Sequence, residues 1–172
     1  MTKKLSRLLW AAALLLLTVV LVFVNLPEAE KKTGAQVGEV LPDFTVSCVG
    51  GGSFTLSQQR GKVVVLNLWA TWCTPCVREL PNFDRLSQER GDQVAVLALH
   101  TPPVTADVAE YLSAFSYTIP FAVDETGELA EMLGASTVLP QTLILNSEGV
   151  VTCNRVGALS YEELCALVDE VK

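Results

Sequence analysis

Hydrophobic and polar positions divide this 172-residue chain into an apolar head and a patterned body. From Leu8 to Val24 the only polar side chain is Thr18. As a helix that run would span about 26 Å, and Leu5 and Leu26 extend it toward the thickness of a bilayer's hydrocarbon. Beyond it, Phe44–Cys48 and Ser53–Leu56 flank Val49-Gly50-Gly51-Gly52, which predicts a β-hairpin. Lys62–Trp69 is β-branched and almost wholly apolar, as expected of a central strand buried on both faces, and Val94–Leu99 reads the same way. Thr74 to Arg90 predicts a helix stopped by Gly91 and kinked at Pro81.

The second half alternates similarly. Thr105 is placed to cap a helix running to Phe115, with Asp107 favourable in its first turn. Glu128–Leu133, ended by Gly134, predicts a short helix. Thr142–Leu145 and Val150–Val156 flank Asn146-Ser147-Glu148-Gly149, a second hairpin. Ser160 then opens a closing helix with Tyr161, Leu164, Cys165 and Val168 at helical spacing. An alternating start with an antiparallel finish predicts an α/β fold, a mixed sheet covered by helices on both faces.

Charge sharpens the division. The net charge is −7, but residues 1–33 carry +3 and residues 34–172 carry −10. Lys3, Lys4 and Arg7 precede the apolar run, so the positive-inside rule leaves the N-terminus in the cytoplasm and exports the rest. A cleaved signal peptide is the rival reading, but Pro27 and Glu28 stand where a small-x-small cleavage site would be. The expectation is a tail and single-pass anchor over 1–27, a polar linker over 28–40 and a folded domain over 41–172. The acidic domain offers no basic face for nucleic acid.

The chemistry is concentrated at Trp69-Ala70-Thr71-Trp72-Cys73-Thr74-Pro75-Cys76, where a buried strand runs into a Cys-x-x-Cys at a helix start. Unpaired N–H groups and the helix dipole favour an anion there, so Cys73 is the expected exposed nucleophile. Cys76, one turn on and more buried, is placed to resolve a mixed disulfide. Thr74 and Pro75 tune thiolate stability. Zinc would need four ligands, and the chain adds only scattered Cys48, Cys153, Cys165 and His100. A purely structural disulfide closing so small a loop would gain little.

With its tryptophans, this motif resembles the active site of the thioredoxin superfamily, and closest to it the membrane-anchored TlpA/ResA-like thiol–disulfide oxidoreductases. The resemblance covers about residues 38–172 and includes the first hairpin, Asn67-Leu68-Trp69, Glu79, Pro81 and Leu139-Pro140-Gln141-Thr142. It implies a thioredoxin-like fold with an extra N-terminal β-hairpin. Asn67 stands where ordinary thioredoxins carry a buried proton-accepting acid. The resemblance gives Glu79 the thiol-tuning and proton-moving role, while spacing alone fits equally a solvated helix Glu paired with an Arg. It implies that Pro140 is cis and lies against the cysteines, with Leu139 and the adjoining backbone meeting an extended substrate. Gln141 departs from the commoner Thr.

Trp72 is expected partly exposed beside Cys73, Trp69 in the core, and His100 in a loop without catalytic work. Cys48, Cys153 and Cys165 could stay as small buried hydrophobes, or Cys153 and Cys165 could form a second bridge. The resulting expectation is an extracytoplasmic thiol–disulfide oxidoreductase of the bacterial cytoplasmic membrane, monomeric and without a cofactor beyond its own cysteine pair. It would reduce specific exported protein disulfides, as in cytochrome c maturation, fed by an integral-membrane donor of the CcdA/DsbD kind. Two enzymatic alternatives are a redoxin-type peroxidase and an electron donor to an exported methionine sulfoxide reductase. The peroxidase needs Thr or Ser three residues before its Cys, where this chain has Ala70. A non-catalytic scaffold is the third.

Overall fold

Residues 63–69 have almost no polar side chain to present to water, and in the computed structural model, which describes Trp10, residues 13–18 and residues 32–171, all but Val63 are buried. The order of elements is β1 (Thr45–Ser47), β2 (Ser53–Thr55), a 3₁₀ turn (Leu56–Gln59), β3 (Val63–Trp69), α1 (Thr74–Arg90), β4 (Val94–His100), α2 (Val108–Ser113), β5 (Phe121–Val123), α3 (Glu128–Met132), β6 (Gln141–Leu145), β7 (Val151–Val156) and α4 (Tyr161–Asp169). The apolar run from Leu8 to Val24 lies outside the described residues apart from Trp10 and the helical residues 13–18. Among the described residues no helix is long and apolar enough to cross a membrane.

Five strands form one sheet in the order β5-β4-β3-β6-β7. β3, β4 and β5 are parallel, while β6 and β7 are antiparallel additions. Side chains alternate between faces, so each face gathers its own core. Val65, Trp69, Val96, Ala98 and Ile144 pack against Leu80, Phe83 and Leu86 of α1 and Leu164 and Val168 of α4. Leu66, Leu68, Leu97, Leu99 and Leu143 pack on the other face with Leu41, Phe54, Leu56 and Leu133. The β1–β2 hairpin is a separate two-stranded sheet. Its end reaches β5, where the Val49 N–H donates to the Phe121 carbonyl at 2.7 Å and covers part of that edge.

The structure departs from the sequence reading at several element ends. Asp107, not Thr105, caps α2, its carboxylate accepting from the Ala109 and Glu110 N–H groups, and the helix stops at Ser113. Residues 32–40, expected in the linker, are tied into the fold. The Gly38 N–H donates to Val151 O at 2.8 Å, the Val151 N–H donates to Glu39 O at 2.9 Å, and Lys32 pairs with Glu39 at 2.8 Å. α1 runs from Thr74 to Arg90 with Pro81 inside it and Gly91 at its end, over the residues the sequence predicts.

α4 begins with a reciprocal cap. Ser160 Oγ accepts the Glu163 N–H at 3.2 Å, and Glu163 Oε2 accepts the Ser160 N–H at 2.9 Å. Ser160→Ala removes one half of it and is expected to cost about 1 kcal/mol, read as a lower urea midpoint at unchanged slope.

Candidate active site

β3 delivers the chain to one end of the sheet, and the turn after it places Cys73 at the N-cap of α1. There Cys73 Sγ accepts the Cys76 N–H at 3.3 Å. Pro75 has no N–H, so this first turn spends none on it, and the Cys76 N–H is aimed at the sulfur. The arrangement stabilises negative charge on Cys73 once the pair is reduced. In the structure the two cysteines form a disulfide with Cα atoms 5.3 Å apart. Cys76 is sealed and Cys73 keeps 6% of its surface exposed, so only an edge of Cys73 faces solvent. The expected order of exposure is observed, at a smaller absolute exposure than the sequence suggested.

Glu79 lies one turn beyond Cys76 and is buried. Its Oε1 accepts from Asn67 Nδ2 at 2.8 Å, and its Oε2 accepts the Leu159 N–H at 2.8 Å. The alternative of a solvated Glu paired with an Arg is not what the structure holds. Burial pushes this carboxyl up to about 7, against the opposing pull of the hydrogen bonds from Leu159 and Asn67. Glu79 also lines a shallow cleft of about 260 Å³, together with Pro75, Arg78, Asn82 and the residues 158–160 loop.

Register places Pro140 at the same end of the sheet. Gln141 pairs with Leu68, so Pro140 stands level with Trp69, and the Leu139–Pro140 bond is cis. The Pro140 carbonyl is held by the Gly157 N–H at 2.8 Å. Leu139 is partly buried against both cores, and the adjoining Val138 is exposed. Gln141 is buried, its Nε2 donating to Gly134 O at 3.1 Å and Asn154 Oδ1 at 2.7 Å. Gln141 therefore braces the loop ahead of Pro140 from inside. Trp72 is half exposed beside Cys73, and its indole N–H donates to the Pro103 carbonyl at 3.1 Å. Thr74 is exposed on the first turn, and Trp69 is fully buried, as expected.

His100 corrects the sequence reading. It is the last residue of β4, level with Trp69 and fully buried, rather than a loop residue. The signal was the strand's own alternation, which carries past Leu99 and puts His100 on the face shared by Ala98 and Trp69. Cys48, Cys153 and Cys165 are free thiols, so the second bridge between Cys153 and Cys165 is not formed. Burial pushes the Cys48 and Cys153 thiols up, which makes them poor nucleophiles beside Cys73.

Comparison with known proteins agrees with this geometry. The redoxin family profile matches residues 36–165. The thioredoxin-like protein YneN of Bacillus subtilis is 32% identical over 139 residues, which span 79% of this chain and 81% of that protein. Thiol-disulfide oxidoreductase ResA of Geobacillus kaustophilus is 29% identical over 173 residues, 99% of each chain. The crystal structure of the pneumococcal exposed lipoprotein thioredoxin Etrx1 of Streptococcus pneumoniae matches with a TM-score of 0.69 at 29% identity, covering 75% of this chain and 99% of that one. With the Cys73–Cys76 disulfide at the head of α1, the chain belongs to the redoxin family, as a ResA-like thiol–disulfide oxidoreductase of the thioredoxin superfamily.

Proposed function

We propose that this oxidoreductase works as a reductase of specific exported protein disulfides, tethered by its N-terminus to the outer face of a bacterial cytoplasmic membrane. The observation that carries its dithiol chemistry is the Cys73–Cys76 disulfide at the head of α1, with the buried Glu79 carboxyl one helical turn behind Cys76 and pushed up to about 7. In the reduced protein, Cys73 thiolate attacks one sulfur of a client disulfide, forming a mixed disulfide and releasing the other client sulfur as a thiolate. Cys76 then gives its proton to Glu79 and attacks Cys73 sulfur. The second client thiolate leaves, and the Cys73–Cys76 disulfide seen in the structure is regenerated. Two electrons pass from the dithiol to the client.

Asn67 suits both states of Glu79. It donates to the carboxylate, and its Oδ1 is buried without a partner. A half-turn of the amide would present that oxygen to a protonated Glu79, while Leu159 N–H keeps the other carboxyl oxygen. The buried amide therefore replaces the proton acceptor of ordinary thioredoxins without competing for the proton.

The tether rests on Lys3, Lys4 and Arg7 ahead of the Leu8–Val24 run. An electron source for such an exported domain is an integral-membrane dithiol donor of the CcdA/DsbD kind, and a cytochrome c maturation client suits a selective reductase. The exposed Trp72, next to Cys73 in the chain, and the exposed Val138, two residues ahead of Pro140, are the contact surface offered to an extended client segment. A Cys73 preceded by Ala70 rather than Thr or Ser argues against peroxidase chemistry.

The tether is tested by alkaline extraction of membranes and protease digestion of intact spheroplasts. The chain is expected to stay with the membrane and to lose its folded domain to external protease. Release by alkali, or protection of the domain until lysis, contradicts the tether. The reductase direction is tested by the potential of the cysteine pair in glutathione buffers. A value well below that of the exported disulfides it meets is expected, and an oxidising value contradicts it.

A further inference from the structure

The turn that carries Cys73 is fastened to the segment after β4 by a set of hydrogen bonds. The Thr101 N–H donates to the Trp69 carbonyl at 2.9 Å, and the Trp72 indole N–H donates to the Pro103 carbonyl at 3.1 Å. Between them the Thr71 N–H donates to His100 Nε2 at 3.0 Å, and Thr71 Oγ1 lies 3.4 Å from the same nitrogen. The Cys73 N–H closes the turn on the Ala70 carbonyl at 3.1 Å. Each residue from Trp69 to Cys73 thus has a hydrogen bond that fixes the turn, and the central one is made by an imidazole.

A backbone N–H only donates. The nitrogen that receives it must carry a free lone pair, so the neutral His100 ring holds its proton on Nδ1. An imidazolium would set two N–H donors against each other in a space with no water to absorb the conflict, because His100 is fully buried. The ring is held edge-on to Trp69, with centroids 5.2 Å apart, which fixes its plane.

We propose that His100 is a positioning residue for the thiol–disulfide chemistry: it accepts the Thr71 N–H and thereby holds the Ala70–Cys73 turn in the geometry that presents Cys73 as the cap of α1. This deepens the reading of Cys73 as nucleophile and rests on it. The contact matters most after the disulfide opens. Without the S–S bond, the turn is kept in place by its hydrogen bonds alone, and Cys73 must stay aligned on the Cys76 N–H for its thiolate to be stabilised.

His100 is the chain's single histidine, so its ring is read without assignment. In the ¹⁵N-labelled whole chain in detergent, the long-range ¹H–¹⁵N spectrum at neutral pH is expected to show protonated Nδ1 and unprotonated Nε2. The opposite tautomer, or an imidazolium, overturns the proposal whatever the enzyme's activity. In parallel, iodoacetamide is added to the reduced protein and Cys73 labelling is followed by mass spectrometry. His100→Leu fills the space without an acceptor and is expected to slow Cys73 labelling about 10-fold. His100→Gln, whose side-chain oxygen can take the Thr71 N–H, is expected to restore the wild-type rate. Wild-type labelling in His100→Leu, or equal loss in both variants, overturns it. Failure of the nucleophile reading is separate and shows as Cys76, rather than Cys73, taking the label first.

Discussion

Cys73→Ser is expected to lower reduction of a protein disulfide by at least about 10³-fold, to the rate of the uncatalysed thiol background. The reason lies in the head of α1. The Cys76 N–H is aimed at the Cys73 sulfur, Pro75 leaves no competing donor, and Cys73 is the one residue of the pair that reaches solvent. A serine hydroxyl in that position ionises far too weakly for the helix end to rescue it. Cys76→Ser is expected to behave differently. The first attack proceeds at close to the wild-type rate, but the mixed disulfide accumulates because nothing inside the protein displaces the client. A turbidity assay with insulin and dithiothreitol measures the first loss, and stopped-flow fluorescence of Trp72 beside the motif follows the stalled second variant. A Cys73→Ser protein that retains disulfide reduction contradicts the assignment of the nucleophile.

Glu79→Gln is expected to slow resolution by about 10²-fold and to remove the bend near pH 7 from its pH profile. It also changes stability in a direction opposite to that of most carboxylates. The folded carboxyl sits at about 7 and the unfolded one near its ordinary 4.5, so the native state holds a proton the unfolded state has lost between those values. Stability from this group is complete below about 4.5 and is lost as pH rises through 7, by about 3 kcal/mol in all. Asp43, Glu89 and Glu163 are held below their ordinary values by hydrogen bonds, so their contributions fall away only at lower pH. Burial depresses His100, which works in the opposite sense to Glu79, but His100 is present in both proteins and cancels in the difference. Urea midpoints of oxidised wild type and Glu79→Gln from pH 4.5 to 8 read that difference. The wild type is expected to lose stability relative to the variant as pH rises. A difference independent of pH contradicts the buried, proton-holding carboxyl.

Much of this was legible because it is local. β3 and β4 are runs of apolar residues too long to expose, and a Cys pair after such a run announces both the helix start and its chemistry. Glu79 was legible as a position on α1, but its burial was not. That depends on the Leu159 amide, eighty residues away in sequence, and on Asn67 across the helix–sheet interface. β5 was missed because three residues between Pro120 and Asp124 carry no period of their own and become a strand only by pairing with β4. The α2 cap fell to Asp107 rather than Thr105 because both fit a cap, and only the packed backbone chooses which side chain reaches the free N–H groups. His100 looked like a loop residue beside Pro102-Pro103. Its partner, the Thr71 amide, belongs to a different strand end, so composition carried no trace of it.

The central claim is that Cys73 attacks client disulfides and Cys76 resolves them. Its most direct test is to incubate reduced Cys76→Ser chain with oxidised insulin, quench with acid and map the adducts by mass spectrometry of non-reduced peptides. The predicted result is one client chain linked through Cys73, released by dithiothreitol, with Cys48, Cys153 and Cys165 still free. Adducts on those three thiols instead, or no adduct while insulin is still reduced, would contradict it.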